Sequence, residues 1–425
     1  MTFPKYTDCK NSGVRWLGEI PGHWGVIQSR RLFRQSKERA RPGDQQLTAS
    51  QKYGVISQAE YMERDGHKVV QVMLGEDILK HVERGDFVIS MRSFQGGLEL
   101  SETAGKISSA YVMVRPTSDV VHRSFKYLFK SRSYIQALQS TSNLVRDGQA
   151  MRFANFVQVP LPRVPVQEQK AIADVLDKET ARIDQLIEKK QRLVKLLGER
   201  VKGLADQALN LPREEWERFE HLTNRISRSV DLAQHDELVR LGLYNRGRGL
   251  FRKPAADEEG MGASDFYFVE DGDLILSGQF AWEGAVALAF PEERGCVVSH
   301  RYPVYRGREG VRSAYLLVLL RSDYGDFILN QASRGSAGRN RPLNTWRLGK
   351  EKLPAAPLDL QVACEEAIRS ERLLKMKIGA SIDRLREYRS ALITAAVTGQ
   401  IDVTRWGQTG EGDKRLDQIQ EEMAG

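Results

Sequence analysis

Two polar loops of this chain are rich in arginine, asparagine and glutamine. They span residues 141–152 and 333–344, and each lies shortly before a proline-containing segment. Arginine forms paired hydrogen bonds with guanine, and asparagine or glutamine with adenine, when a protein reads the major groove of duplex DNA. The side chains in these loops that could make such contacts are Arg146, Gln149, Arg152, Arg334, Arg339, Asn340, Arg341 and Asn344. The loops are therefore candidate DNA contacts.

A second candidate surface follows a segment that occurs twice in the chain. Arg92 and Gln95 follow its first occurrence, and Gln279 follows its second. Arginine also contacts phosphates, which position a protein on DNA without specifying a base sequence. Loop arginines also pair with carboxylates or the ends of helices, so a purely structural role is the alternative for each candidate.

The chain lacks the short sequence motifs of several enzyme classes. It contains no Asn/Asp-Pro-Pro-Tyr/Phe segment, no Walker-type Gly-Lys-Ser/Thr and no His-Glu-x-x-His, and residues 247–252 lack the third glycine of a dinucleotide loop. Its seven histidines show no metal-ligand spacing, and Cys9, Cys296 and Cys364 cannot form a four-cysteine zinc site. The sequence therefore predicts neither a catalytic nor a metal site in this chain.

Composition favours a cytoplasmic protein over a secreted or membrane protein, whereas the charge by itself fits either phosphate contact or an ordinary solvated basic face. The 425 residues are 41% apolar and 28% charged, and the net charge is +8. Residues 1–166 carry 24 basic and 15 acidic side chains, an excess that suits phosphate contacts. No apolar run approaches the roughly 18 residues of a membrane span, and the first ten residues do not resemble a secretion signal.

The chain also repeats itself. Residues 82–90 recur as 269–277, an offset of 187, and Leu161-Pro162 recurs as Leu353-Pro354, an offset of 192. Matches in the same order with nearly constant offset indicate two copies of one unit. Each copy begins with a stretch in which Gly-Asp turns precede short apolar runs typical of buried strands, and this predicts a compact α/β domain.

Each α/β domain is followed by a long helical segment. In residues 167–209 and 358–398, apolar side chains recur every three or four positions, which indicates a narrow seam that needs a partner helix. Two such seams in one chain are expected to cover each other, and they run antiparallel if a two-fold axis relates the copies. The predicted segments are a first domain 1–166, a helix 167–209, a second domain 210–357, a helix 358–400 and a flexible tail 401–425.

Three segments resemble the specificity (S) subunits of type I restriction-modification systems. They are the opening residues 11–24, the junction 162–169 and the ending 390–402. The second junction departs from the pattern because Leu360 stands where the first junction has Glu168. The resemblance implies two α/β (α+β) target recognition domains, related by a pseudo-two-fold axis and separated by two long antiparallel coiled-coil helices.

The resemblance also implies a function. Each recognition domain would read one half of a bipartite, asymmetric DNA target, while the helices set the gap and dock two methyltransferase (M) subunits. Restriction/translocase (R) subunits would join that core. S-adenosylmethionine, ATP and Mg²⁺ would bind to the partners, and this chain would not be an enzyme. The alternatives are a coiled-coil scaffold with nonspecific basic domains and a self-sufficient methyltransferase.

Overall fold

The structure is a computed structural model that describes residues 4–66, 78–91, 93–141, 151–262, 264–333, 341–406 and 410–421. Its contacts divide the chain into two compact units. The first unit is Met1–Glu188 with Ala380–Gly425, and the second is Lys189–Gly379. Each unit thus combines an α/β domain with part of each long helix.

In the first unit, a four-stranded antiparallel sheet in the order β4-β11-β8-β9 forms the centre of the domain. The strands are β1 (Cys9–Asn11), β2 (Glu19–Pro21), β3 (Gly25–Ile27), β4 (Phe33–Ser36), β5 (Leu47–Ser50), β6 (Gly54–Ser57), β7 (Lys80–Val82), β8 (Phe87–Ile89), β9 (Glu99–Leu100), β10 (Gly105–Ile107), β11 (Val112–Pro116) and β12 (Leu161–Arg163). The helices are α1 (Ser29–Leu32), α2 (Gln58–Asp65), α3 (Ser93–Gly96), α4 (His122–Lys130), α5 (Arg132–Gln139), α6 (Phe153–Phe156) and the long α7 (Val166–Leu209).

The repeated Gly-Asp segment forms a turn and a buried strand, as the sequence predicts. Gly85 adopts a positive φ of 95°, which a residue with a side chain rarely adopts. All three residues of β8 are buried on both faces of the sheet. On one face, Phe87 and Phe33 pack edge to face, with ring centroids 5.9 Å apart, in an aromatic core.

The second unit contains a sheet of the same order, β14-β21-β18-β19, and a further four-stranded sheet, β16-β15-β20-β17. Its strands are β13 (Trp216–Arg218), β14 (Thr223–Ile226), β15 (Leu238–Leu243), β16 (Leu250–Ala256), β17 (Phe266–Phe268), β18 (Leu274–Leu276), β19 (Val286–Leu288), β20 (Val297–Ser299), β21 (Val304–Gly307) and β22 (Lys352–Pro354). Its helices are α8 (Phe219–Leu222), α9 (Glu258–Met261), α10 (Ser313–Leu320), α11 (Asp323–Ala332), α12 (Thr345–Lys350) and the long α13 (Leu358–Val397).

A buried glutamine at each domain-to-helix junction shows the repetition at atomic detail. Gln169 accepts a hydrogen bond from the Val121 amide at 2.7 Å and donates to the carbonyls of Val164 and Asp119, both at 2.9 Å. In the second unit, Gln361 accepts from the Arg312 amide at 2.8 Å. It donates to the carbonyls of Ala356 at 2.8 Å and Gly310 at 3.2 Å. The same three bonds at matching positions confirm the predicted duplication.

The long helices pair through their seams within each unit. In the first unit, Ile172, Leu176 and Ile183 of α7 share one apolar core with Leu385 and Leu392 of α13. In the second unit, the apolar core joins later α7 residues to earlier α13 residues: Val201, Ala205, Ala208, Leu360, Cys364, Ala367 and Ile368. This order is that of antiparallel helices, so the predicted coiled-coil pair is confirmed.

Near the middle of α7, the seam positions are no longer all apolar and buried. Glu179 and Lys190 are buried, whereas Leu193, which also follows the heptad spacing, is 42% exposed. Leu196 in α7 and Leu373 and Met376 in α13 are also exposed in the second unit. Their apolar surface is left open to solvent.

The predicted flexible tail is wrong for the residues that the structure describes. Residues 410–421 include the helix α14 (Glu411–Glu421), in which Leu416 and Ile419 are buried in the apolar core of the first unit. Trp406 is buried in the same core. The i, i+3 spacing of Leu416 and Ile419 gives α14 an apolar face, and this burial holds the tail against the first unit. Among the described residues, no helix has the length and hydropathy of a bilayer span.

Candidate nucleic-acid interface

The structure describes five of the predicted contact residues. Gln95, Arg152, Gln279, Arg341 and Asn344 all lie on the surface. The remaining predicted residues lie outside the described part of the chain: Arg92, Arg146, Gln149, Arg334, Arg339 and Asn340.

In the second unit, the two predicted surfaces meet at Gly278. The Gly278 amide donates to the Arg301 carbonyl at 2.7 Å, and the Leu343 amide donates to the Gly278 carbonyl at 2.8 Å. A Cβ on Gly278 would lie 2.5 Å from the Arg301 carbonyl oxygen, so only glycine allows this approach. The contact brings Gln279, which follows the repeated strand, beside the end of the polar loop.

An aromatic platform supports one of the predicted arginines. The Arg341 guanidinium lies over the Trp282 ring, 5.0 Å from the ring centroid, in a cation–π arrangement. The Trp282 indole N–H donates to the Gln279 carbonyl at 3.2 Å, which ties the platform to the first surface. The Arg341 side chain is exposed, and among the described residues no carboxylate forms an ion pair with it.

A cavity of about 750 Å³ lies beside this platform, and the sequence analysis did not identify it. Its lining residues are Asn245, Arg246, Arg248, Trp282, Glu283, Asp326 and Asn330. Arg246 has a φ of +59°, which is uncommon for a residue with a side chain. Two backbone hydrogen bonds hold this turn: the Arg246 amide donates to the Glu283 carbonyl at 2.8 Å, and the Gly247 amide donates to the Gly284 carbonyl at 2.7 Å.

The signal for this cavity in the sequence was the cluster of basic residues around position 246. Arg248 lies over the Tyr244 ring at 5.1 Å and donates from Nε to the Asn245 carbonyl at 3.0 Å. The cavity also carries carboxylates, and burial followed by the charge of Asp323 raises the pKa of Asp326. The second unit thus presents aromatic-supported cations beside a polar concavity, a surface suited to stacking and hydrogen bonding with nucleic acid.

Asn344 has a structural role that restricts what it can contact. It is the N-cap of α12, and its Oδ1 accepts from the Arg347 amide at 3.0 Å. Paired recognition of adenine needs both the amide oxygen and the amide nitrogen. A paired contact with adenine would therefore have to share the oxygen that already caps the helix.

In the first unit, the segments that carry Gln95 and Arg152 are joined by side-chain hydrogen bonds. Gln139 at the end of α5 donates to the Phe94 carbonyl in α3 at 2.6 Å. Asn155 donates to the Thr141 carbonyl at 2.9 Å and accepts from the Arg152 amide at 3.0 Å. A cavity of about 560 Å³ lies in this region, lined by Val14, Arg15, Trp16, Ser133, Gln136, Ala137, Ser140, Thr141, Gln158, Val159 and Pro160.

No family model and no curated protein matches this sequence. Among solved structures, one chain from a study of complex assembly and conformational transition of the type I R-M system is similar, with a TM-score of 0.52 and 14% identity. The similarity covers 90% of this chain and 99% of that chain.

Two further solved structures align at lower scores. One is the HsdS subunit from Thermoanaerobacter tengcongensis, with a TM-score of 0.46, 13% identity, and coverage of 90% of this chain and 98% of that chain. The other is the type I restriction-modification system S subunit from M. genitalium, with a TM-score of 0.46, 11% identity, and coverage of 88% and 96%. At a TM-score above 0.5 over nearly the whole length, the chain has the fold of the type I R-M system chain.

Proposed function

We propose that this chain is the DNA-specificity subunit of a type I restriction-modification complex. The observation that carries the proposal is the duplicated architecture: two domains with the same sheet order, each joined through the same buried glutamine to one of two antiparallel helices. Two similar domains attached to a stiff helical pair suit a ligand with two separated contact points, and a bipartite DNA target is such a ligand.

The second recognition domain would contact its half-site with the surface around Trp282. Arg341, held over the Trp282 ring, can pair with a guanine edge or a phosphate, and the exposed Gln279 lies beside it. In the first domain, the exposed Gln95 and Arg152 lie in segments that are joined by the hydrogen bonds of Gln139 and Asn155. Because the two surfaces differ in sequence, the two half-sites of the target would differ too.

The helices would set the gap between half-sites and dock two methyltransferase (M) subunits. The exposed apolar side chains of Leu193, Leu196, Leu373 and Met376 support docking, because a partner that covers them removes apolar surface from water. Restriction/translocase (R) subunits would join that core. In this assignment methyl transfer and DNA cleavage, with S-adenosylmethionine, ATP and Mg²⁺, belong to the partners, and this chain is a non-catalytic cytoplasmic subunit.

A binding selection from randomised duplex DNA with the full-length chain and its co-purified partners tests the proposal. The expected product is an asymmetric motif of two specified halves around an unspecified gap of constant length. If the chain binds DNA but the selected sequences share no motif, the alternative of a scaffold with nonspecific basic domains is established. Methyl transfer by the purified chain alone would establish a self-sufficient methyltransferase.

The selected sequence then allows a test of a single residue. Arg341→Ala should weaken binding to that DNA by about 1–3 kcal/mol, because a paired contact to a base edge contributes about that much. Arg294→Ala is the matched control: this arginine is also exposed and lies near Glu270, at 3.2 Å, without an aromatic platform. Equal binding by wild type and Arg341→Ala would remove Arg341 from the interface.

A further inference from the structure

Three side chains of the first domain bring potential metal ligands together, although they are far apart in sequence. Glu38, His81 and Glu83 each offer one ligand atom, and these atoms lie within 4.8 Å of one another. The backbone sets this arrangement: His81 lies in β7, and its amide donates to the Glu38 carbonyl at 2.9 Å. Glu83 follows β7 directly, so both carboxylates lie beside the imidazole.

The imidazole of His81 is only 2% exposed, and its two nitrogens have different surroundings. Nδ1 lies 2.7 Å from Asp44 Oδ2 in a side-chain hydrogen bond. Nε2 is buried without a hydrogen-bond partner, although Glu83 Oε1 is only 3.0 Å away. If the ring is neutral and Nδ1–H donates to Asp44, Nε2 carries a lone pair beside the Glu83 carboxylate. This arrangement is unfavourable in a buried place, and either a second proton on the ring or a cation bound to both atoms relieves it.

The distances fit a shared cation. Two ligand atoms about 2.1 Å from one ion, at tetrahedral or octahedral angles, lie roughly 3.0–3.4 Å apart. Nε2 of His81 and Oε1 of Glu83 are 3.0 Å apart. The carboxylate of Asp44 on the other imidazole nitrogen is the arrangement that orients histidine ligands in metal sites and makes them more basic. Glu38 is at the surface and pairs with Arg41 and Arg115, and its carboxylate would move by up to about 1.4 Å, the difference between 4.8 Å and 3.4 Å, to supply a third bond.

A guanidinium now faces both carboxylates. Arg41 lies 2.8 Å from Glu83 through Nη1 and 2.8 Å from Glu38 through Nη2, and its side chain is 52% exposed. Exposed ion pairs of this kind stabilise a fold only weakly, because water screens the charges. A divalent ion bound by an imidazole and two carboxylates gains far more, so Arg41 is a displaceable competitor for the same position.

We propose that His81, Glu83 and Glu38 form a binding site for a divalent transition metal of the zinc class, in which the metal replaces the Arg41 guanidinium. Asp44 orients the histidine from behind. The bound ion would connect β7 and the segment after it to the segment between β4 and β5, and so tighten the first domain. This proposal is independent of the proposed DNA function.

Cobalt(II) is the probe, because a tetrahedral Co²⁺ site absorbs visible light. The full-length chain is stripped with EDTA and titrated with Co²⁺, followed by visible absorption and calorimetry. We expect one Co²⁺ per chain, displaced by Zn²⁺. Glu83→Gln should weaken binding at least tenfold, and Asp44→Asn about 10–100-fold, as for other partners behind a histidine ligand.

Arg41→Ala gives the decisive comparison. It removes the cation that pairs with Glu83, while Glu38 keeps its ion pair with Arg115, so it should strengthen Co²⁺ binding severalfold, whereas a cluster of ion pairs alone would bind none. Arg41 and Glu83 are both partly exposed, so these variants do not empty the core. His23→Gln is the control, since His23 pairs with Glu168 elsewhere in the unit. Absence of Co²⁺ binding in wild type and Arg41→Ala, or binding that Glu83→Gln does not weaken, would overturn the proposal.

Discussion

At the scale of single residues, a buried aspartate in each domain depends on arginine. Asp86 receives hydrogen bonds from Arg115 Nε at 2.8 Å and Nη2 at 2.9 Å, and its carboxylate is almost fully buried. At the matching position, Asp273 is bound by Arg306 at 2.6 Å and also by Arg228 at 2.7 Å. The Gly-Asp repeat in the sequence indicated only a turn before a strand. The partners of its carboxylate became visible in the fold.

The unequal number of partners predicts unequal effects of mutation. Arg115→Ala leaves Asp86 buried without an ionic partner and should lower the free energy of unfolding by about 3–5 kcal/mol. Arg306→Ala should lower the free energy of unfolding by less, about 1–3 kcal/mol, because Arg228 still pairs with Asp273. Denaturant unfolding of each variant measures the difference. An equal loss in both variants would show that Arg228 does not support Asp273.

At the scale of elements, the junction glutamines connect each domain to its helix. Gln169→Ala removes three hydrogen bonds between a buried side chain and backbone groups. Because the Val164 carbonyl stays buried without this partner and the other two groups are part-buried, we expect a loss of about 2–4 kcal/mol. Differential scanning calorimetry checks the value. Gln158→Ala, which alters an exposed glutamine, is the control and should leave the transition temperature unchanged.

The helical seam gives a second prediction at this scale. Leu385→Ala in α13 removes a fully buried side chain and should destabilise the chain by about 2–5 kcal/mol. Leu193→Ala removes the same atoms from a side chain that is 42% exposed, and it should change stability by less than about 1 kcal/mol. Thermal unfolding of the two variants measures both effects. A large loss for Leu193→Ala would mean that another part of the chain covers this position.

The two long helices could be predicted from the sequence most accurately, whereas the geometry of the candidate site could be predicted least. Apolar spacing of three and four residues placed the predicted helix at 167–209, and α7 runs from Val166 to Leu209. The same spacing could not show that Leu193 is exposed, because burial depends on which partner surface lies opposite. The cavity beside Trp282 combines residues about 85 positions apart, from Asn245 to Asn330, and no local pattern indicates that they meet.

At the scale of the whole molecule, duplication allows two similar domains to carry different contact residues. The second unit has a four-stranded sheet, β16-β15-β20-β17, where the first has separate two-stranded pairs. The common sheet order preserves the attachment to the helices, while the surrounding segments are free to diverge. Under the proposed function, the target sequence and the gap length are therefore separate properties, set by different parts of the chain.

Lengthening both helices tests this separation. Seven residues inserted in α7 after Glu188 and seven in α13 after Gly379 keep the heptad phase and add roughly 10 Å. The gap should grow by about three base pairs of roughly 3.4 Å each, with both half-sites unchanged. Binding selection with the lengthened chain measures the gap. A constant gap would contradict the assignment of spacing to the helices.

The sequence by itself determined the features that local patterns and internal comparison carry. Duplication, the two long helices and the polar loops follow from spacing along the chain, because a helix or a strand repeats its side-chain direction at a constant period.

Tertiary structure alone decided which distant residues meet. It buried Leu416 of the tail, joined Gln279 to the Trp282 platform, and brought His81 beside Glu38, where the scattered histidines had suggested no metal ligand. The reason is physical: these contacts join segments that are far apart in the chain. Their geometry arises only when the apolar surfaces of separate elements pack against one another.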